Sequence, residues 1–210
     1  MVRPLCLIVA TVLACGFVTP SARGPAPAPP QRSEPMVEWH HSRPLGTPGE
    51  GALRDGVRLP RAGAHFFTWD PVLRRSPNRG WRRWGTDRLV RLVLRVARDF
   101  AAAYPKAARI GIGDLSRPHG GYFGPKHATH QNGLDADIYY PRRDGRERPP
   151  LRVSQIDVPL AQDLVDHFVA AGVDLVYVGL NTPLTGPAGV VIPLWNHDNH
   201  LHVRIRFPPR

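Results

Sequence analysis

The sequence predicts an α+β domain with a central antiparallel sheet and flanking helices on one side. Two stretches, residues 86–103 and 157–171, repeat apolar residues at helical spacing. Several short stretches alternate apolar and polar residues with the period of a strand. Because the chain has 210 residues, one domain with extensions is expected.

The two helices have recognisable ends. Thr86 can cap the first helix, and Asp87 suits the positive end of its dipole. The second helix is expected to stop at Gly172. The stripe of apolar residues on each helix predicts packing against the sheet.

Strands are predicted between and after the helices. The expected strands are residues 65–69, 109–113, 134–139, 173–178, 190–194 and 200–207. The last two are interpreted as a closing hairpin, joined through the loop that carries His197. Around Trp81 and Trp84, either the tryptophans pack the domain while their neighbouring arginines face water, or this stretch forms one wall of a binding groove.

The N-terminal part predicts export. Residues 1–22 combine Arg3, an apolar run and small residues at the end, as in an export signal. Alternatively, a lipoprotein signal ends at Cys15, and lipidation there would tether the protein to the outer face of the membrane. Residues 23–50 are rich in proline and are interpreted as a disordered linker, which leaves residues 51–210 as the domain.

The net charge of +11 has two interpretations. It reflects either the arginine-rich composition itself or attraction to a polyanion such as cell-wall polymer, anionic lipid or nucleic acid. The arginines are scattered, and an export signal does not fit a nucleic-acid partner, so no nucleic-acid binding is expected. The predicted location is the periplasm, the cell wall or the outside of the cell.

Two short stretches, residues 124–137 and 195–204, contain five of the ten histidines. His200 and His202 are separated by one residue in a strand pattern, so both imidazoles leave the same face. Asp137 belongs to a second predicted strand, and His130 precedes that strand through a turn. If the strands are neighbours, His130, Asp137 and His202 can converge on one zinc ion and leave a fourth position open for catalysis.

Amide hydrolysis at such a centre needs a base that takes a proton from water and returns it to the leaving amine. His200 is the candidate, because it shares a face with His202 and an imidazole titrates near neutrality.

The spacing of these residues resembles a known family. His130-(six residues)-Asp137 followed by His200-x-His202 resembles the signature of the zinc peptidase superfamily that includes lysostaphin-type enzymes, D-alanyl-D-alanine metallopeptidases and the hedgehog domain. The longer runs over residues 113–121 and 127–138 resemble the penicillin-insensitive murein endopeptidases. The resemblance implies the same roles: His130, Asp137 and His202 as ligands of one zinc per chain, and His200 as base.

Five further residues are candidates for supporting roles. His127 and His197 either steady the oxyanion, orient water or contact substrate, or they hydrogen-bond a ligand; a second metal through His127 is a weaker alternative. Asp135 either serves the site or pairs with an arginine at its edge. Asp114 and Ser116 either hold their loop or contact substrate.

The resemblance implies an exported zinc endopeptidase that hydrolyses peptide cross-links of peptidoglycan, between D-alanine and diaminopimelate. One alternative is a zinc carboxypeptidase that trims stem peptides. Another is a zinc-stabilised module that binds the cell wall without turnover. The segment between Asp137 and His197 is shorter than in the enteric members, so the substrate pocket is expected to differ.

Overall fold

The computed structural model describes residues 35–125 and 127–207. The predicted export signal, Cys15 and most of the proline-rich linker lie outside the described residues.

Ten strands and two α-helices are described. The strands are β1 (Arg43–Gly46), β2 (Gly51–Arg54), β3 (Val57–Arg58), β4 (Phe66–Thr68), β5 (Trp84–Gly85), β6 (Ile110–Ile112), β7 (Asp135–Tyr139), β8 (Leu175–Gly179), β9 (Val191–Leu194) and β10 (His200–Arg204). The helices are α1 (Asp87–Ala103) and α2 (Val158–Ala170). The α+β class is therefore confirmed.

Six strands form the main sheet, in the order β4-β6-β7-β10-β8-β9. The central pairings β6-β7, β7-β10 and β10-β8 are antiparallel, as predicted. The two edge pairings, β4-β6 and β8-β9, are parallel. The small pairs β1-β2 and β3-β5 lie outside this sheet.

Both helices begin where the sequence predicts. The hydroxyl of Thr86 accepts a hydrogen bond from the backbone N–H of Leu89, at 3.2 Å, and caps α1. Asp157 caps α2 in the same way through the N–H of Leu160. The helices contact each other, so they cover the same side of the sheet.

The two faces of the central strands differ sharply. On one face, Ala136 and Ile138 of β7 and Leu201 and Val203 of β10 are fully buried in the core shared with the helices. Because side chains alternate along a strand, the intervening residues of β7 and β10 lie on the opposite face. That face carries the carboxylates and imidazoles.

The predicted hairpin of the last two strands is wrong. Strand β10 inserts between β7 and β8, and β9 lies at the edge beyond β8. Pro193 lies within β9, and a proline has no N–H for a second ladder, so an edge position suits this strand.

Two further expectations are corrected. Residues 43–46, which the sequence assigns to the disordered linker, form β1 and pair with β2, so the boundary at residue 51 falls inside paired structure. Arg82 and Arg83, expected to face water if the tryptophans pack the domain, are buried at 5% and 4% exposure.

Neither described helix is long and apolar enough to span a membrane.

Candidate metal centre

Three side chains meet on the polar face of the sheet. In the β7-β10 ladder, His202 lies directly opposite Asp137. The Nδ1 atom of His202 is 3.1 Å from Oδ1 of Asp137, and Nε2 of His130 is 3.1 Å from that Nδ1 and 3.2 Å from that Oδ1. The three atoms form a nearly equilateral triangle, and all three residues are buried. The structure thus brings together the three residues predicted as ligands, in a group that could hold a metal ion.

His130 reaches the triangle from a loop. Its backbone has a φ of 70°, and its N–H donates to Oδ2 of Asp135 at 3.3 Å. Nδ1 of the ring lies 2.5 Å from the carbonyl oxygen of Leu115. Since a carbonyl can only accept, Nδ1 carries the proton and Nε2 offers its lone pair to the triangle.

Asp135 fixes the orientation of His202. Its Oδ1 accepts from Nε2 of His202 at 2.9 Å and from Nε of Arg204 at 2.7 Å. With its proton on Nε2, His202 turns the lone pair of Nδ1 towards Asp137. A carboxylate behind a ligand imidazole holds its tautomer and raises its basicity. Asp135 therefore contacts both His202 of the triangle and an arginine beside it.

The charged groups of the centre shift one another's pKa values. Burial opposes ionisation of Asp137, but the imidazoles around it outweigh burial and hold its pKa well below the usual value. Burial likewise opposes ionisation of Asp135, whose pKa falls to about 2 because of His202, His130 and Arg204. Burial disfavours the charged form of His202, yet the hydrogen bonds to Asp135 and Asp137 raise its pKa to about 9. A bound metal ion would have to displace that proton.

His200 lies beside the triangle rather than in it. Its Nε2 is 3.7 Å from Oδ1 of Asp137, and its Nδ1 is 2.6 Å from Oδ1 of Asn199. The amide oxygen of Asn199 can only accept, so it places the proton on Nδ1 and leaves Nε2 free. Burial lowers the pKa of His200 to about 4, so the ring is neutral at pH 7.

His127 and Asp114 form a neighbouring cluster. Nε2 of His127 is 3.2 Å from Oδ2 of Asp114, and one ligand atom each of Asp114, His127 and Asp137 lie within 4.8 Å of one another. Buried Arg82 donates to both oxygens of Asp114, with Nε at 2.6 Å from Oδ1. Asn78 also donates to Oδ1, at 3.0 Å. The Asp114 side chain is thus held by groups from outside its own loop.

Ser116 and His197 have different surroundings. Ser116 is buried, and its hydroxyl has no hydrogen-bond partner among the described residues, while its backbone bridges to Trp84. The ring of His197 lies 4.8 Å from that of His200, and its Nδ1 donates to the carbonyl oxygen of Trp195, 2.8 Å away. Since a carbonyl oxygen only accepts, this bond places the proton of His197 on Nδ1.

The centre opens into a cavity of about 440 Å³. Its walls include His127 and His197, together with Tyr139, Tyr177 and the exposed Trp195. The cavity gives His200 and the triangle a shared opening to solvent.

Sequence reasoning missed Asn199, Arg204 and the Leu115 carbonyl. Arg204 could have been found, because it shares the alternation of His200 and His202 along one strand. The acceptor role of Asn199 depends on side-chain rotation, and the Leu115 carbonyl comes from a distant loop. Neither has a signal in residue spacing.

Comparison with known proteins identifies a family. The family model for penicillin-insensitive murein endopeptidases matches residues 44–170. This range includes Asp114, His127, His130 and Asp137, whereas the histidines of β10 lie beyond it.

Curated proteins named penicillin-insensitive murein endopeptidase are similar over part of their length. The protein from Yersinia enterocolitica is 29% identical over 46% of this chain and 45% of the relative. The protein from Pectobacterium atrosepticum is 31% identical over 46% of this chain and 44% of the relative. For the protein from Salmonella paratyphi C, identity is 30% over 60% of this chain and 55% of the relative.

The chain spans about half the length of the curated relatives it matches. The family model, however, matches more than half of the chain and contains two of the three residues of the triangle. The chain therefore belongs to the penicillin-insensitive murein endopeptidase family.

Proposed function

We propose that this protein is an exported zinc endopeptidase that hydrolyses the peptide cross-links of peptidoglycan, at the bond between D-alanine and diaminopimelate. One observation carries the proposal: the His130-Asp137-His202 triangle opens, together with a neutral His200, into a cavity in a chain of this family. Residues 1–22 would direct export, with lipidation of Cys15 as the alternative.

Zinc fits the donor set. Zinc accepts imidazole nitrogen and carboxylate oxygen at about 2.0–2.2 Å, which places two ligand atoms of a tetrahedron about 3.3 Å apart. The three edges of the triangle are 3.1, 3.1 and 3.2 Å, so small adjustments would suffice. When bound by His130, Asp137 and His202, zinc would supply a water of lowered pKa and polarise a peptide carbonyl.

His200 is the proposed general base and acid. Its free Nε2 faces the same opening as the triangle and can take a proton from the attacking water. The imidazole can then return that proton to the leaving amine. Asn199 holds the proton on Nδ1 throughout and therefore keeps Nε2 available. The lowered pKa keeps the ring neutral, so the base is ready at pH 7.

His127 and His197, which both line the cavity, are proposed to position substrate. His127 packs against Phe123 and is oriented by Asp114, which supports a fixed direction for its ring. His197 packs on His200 with its proton on Nδ1, so its Nε2 remains free to accept from substrate. Asp135 and Asp114 act through the imidazoles they hold, not by touching substrate.

The test is metal content and muropeptide cleavage on one sample of the purified full chain. We expect one zinc per chain and conversion of cross-linked dimers to monomers, with both lost after chelation and recovered on adding zinc. Release of terminal alanine alone would favour a carboxypeptidase. Zinc without cleavage of any muropeptide would favour a binding module, and absence of metal would refute the proposed centre.

A further inference from the structure

A second and larger cavity lies at the turn that precedes β5 and α1. Its volume is about 1030 Å³, and five arginines line it: Arg58, Arg61, Arg75, Arg79 and Arg83. None of the ligands of the proposed metal centre lines it.

Arg83 forms the buried floor of this cavity, which we call the arginine pocket. Its side chain donates to two backbone carbonyls, those of Asn78 and Leu59. No carboxylate pairs with it among the described residues. Burial, together with repulsion from Arg58 and Arg61, lowers its pKa to about 10. A buried guanidinium is normally paired with an anion, so this arrangement is electrostatically incomplete.

The rim of the pocket carries the same excess of positive charge. Arg58, Arg61 and Arg75 are exposed, and in the described part of the chain they form no ion pair. Arg58 instead lies over the Trp84 ring, with its guanidinium carbon 5.8 Å from the ring centroid. Arg79 differs, because Asp70 already neutralises it at 2.5 Å.

Among the described residues, one carboxylate lines the pocket, and it is not paired with any of these arginines. Glu38 has a side chain that is 90% exposed and is 3.8 Å from His40. Asp70 is committed to Arg79 and to the backbone N–H groups of Val72 and Leu73. Four guanidinium groups therefore share one concave surface, and among the described residues none of them is ion-paired to a carboxylate.

We propose that the arginine pocket binds a phosphate group, carried by a phosphomonoester or phosphodiester of the cell envelope. Guanidinium groups bind phosphate through paired N–H donors, and several of them match a group with multiple charged oxygens better than a single carboxylate. The volume also exceeds that of a free ion, which leaves room for the molecule that carries the phosphate. This binding would hold the enzyme near an anionic polymer or surface and is separate from the proposed hydrolysis.

The first test is a calorimetric titration of the zinc-loaded full chain with inorganic phosphate at fixed ionic strength. We expect R58Q/R61Q/R75Q to weaken phosphate binding at least tenfold. The matched control, R88Q/R95Q/R98Q, removes three exposed arginines of α1 and should change the affinity less than twofold. Equal losses in both variants would show a nonspecific charge effect and overturn the proposal.

Two further measurements separate the pocket from the metal centre. Asp137→Ala should leave phosphate binding unchanged. Loss of phosphate binding in that variant would show that phosphate binds at the metal centre and would refute the proposal that it binds in the arginine pocket. R58Q/R61Q/R75Q should still cleave soluble muropeptides at the wild-type rate. The phosphate titration does not depend on cleavage, so failure of the hydrolase proposal would not affect the phosphate proposal. Far-UV circular dichroism checks that both triple variants are folded.

The same variants identify the source of the phosphate. Probes are a soluble glycerol phosphate polymer and vesicles of phosphatidylglycerol in phosphatidylcholine. If one probe binds and R58Q/R61Q/R75Q weakens that binding, that probe represents the source of the phosphate. Binding of inorganic phosphate but of neither probe would overturn the proposal that the phosphate is carried by a larger molecule. If citrate at equal ionic strength binds as well as phosphate, the pocket does not select phosphate and the proposal is wrong.

Discussion

Two buried carboxylates, Asp137 and Asp114, lie next to each other but have different partners. Asp137 is surrounded by the imidazoles of His130, His200 and His202. Asp114 accepts from the guanidinium of Arg82 at both of its oxygens. Both belong to groups that could hold a metal, so residue type alone does not separate them.

The difference lies in what each partner can do when a cation arrives. An imidazole can lose its proton and turn a lone pair to a metal, whereas a guanidinium stays protonated and has no lone pair to offer. A metal at Asp114 would also face the positive charge of Arg82. The comparison therefore favours one ion at His130-Asp137-His202, and it argues against a second ion through His127.

The largest expected effect is that of removing Asp137. Asp137→Ala should abolish zinc binding and muropeptide cleavage together, because it removes one of three protein ligands. Zinc content by mass spectrometry of the native protein measures this directly. Asp114→Asn is the matched control and should keep one zinc per chain. Equal loss of zinc in both variants would contradict the distinction drawn between the two carboxylates.

His200→Ala should separate chemistry from metal binding. Zinc stoichiometry should remain one per chain, while turnover of cross-linked dimers falls by about 10²–10⁴-fold, the usual contribution of a positioned base. His41→Ala, which removes an exposed imidazole outside the centre, should leave both quantities unchanged. If His200→Ala lost zinc, base and ligand would have been misassigned.

Arg82→Ala tests the Asp114 side of the comparison. It leaves a buried carboxylate without its main partner, so we expect the free energy of unfolding to fall by about 3–5 kcal/mol. Chemical denaturation of the metal-free chain measures it. Arg206→Ala breaks the exposed pair with Asp174 and should cost less than about 1 kcal/mol. Similar small losses in both variants would mean that the Arg82-Asp114 pair is not effectively buried.

The sequence predicted the helices and central strands well because their signals are local. Helix α1 has both a cap at Thr86 and an apolar stripe, and its observed start follows that cap directly. The position of β9 was not predictable, since which strand lies beside β8 depends on contacts between residues far apart in sequence. Strand β1 was hidden by surrounding prolines, and its pairing with β2 depends on the partner.

For the site too, the sequence predicted what depends on local alternation and not what depends on tertiary packing. The alternation of His200 and His202 indicated a shared face, and the ladder places His202 opposite Asp137. The burial of Arg82 and Arg83 could not be anticipated, because arginines usually lie at the surface and only tertiary packing brings Arg82 to Asp114. The arginine pocket also escaped detection, since its residues are spread over positions 58–83. A pocket of this kind has no short motif.

The smallest effect we predict concerns Asp135, the carboxylate behind His202. Asp135→Asn keeps an oxygen that can accept from Nε2 of His202 but removes the negative charge that makes the ring more basic and that pairs with Arg204. Zinc affinity should therefore fall by about 10–100-fold while stoichiometry at saturating zinc stays at one. Competition with a chelator of known affinity measures the shift. A complete loss of zinc would mean that Asp135 is itself a ligand, and no change would mean that the His130-Asp137-His202 triangle orients itself without the carboxylate behind it.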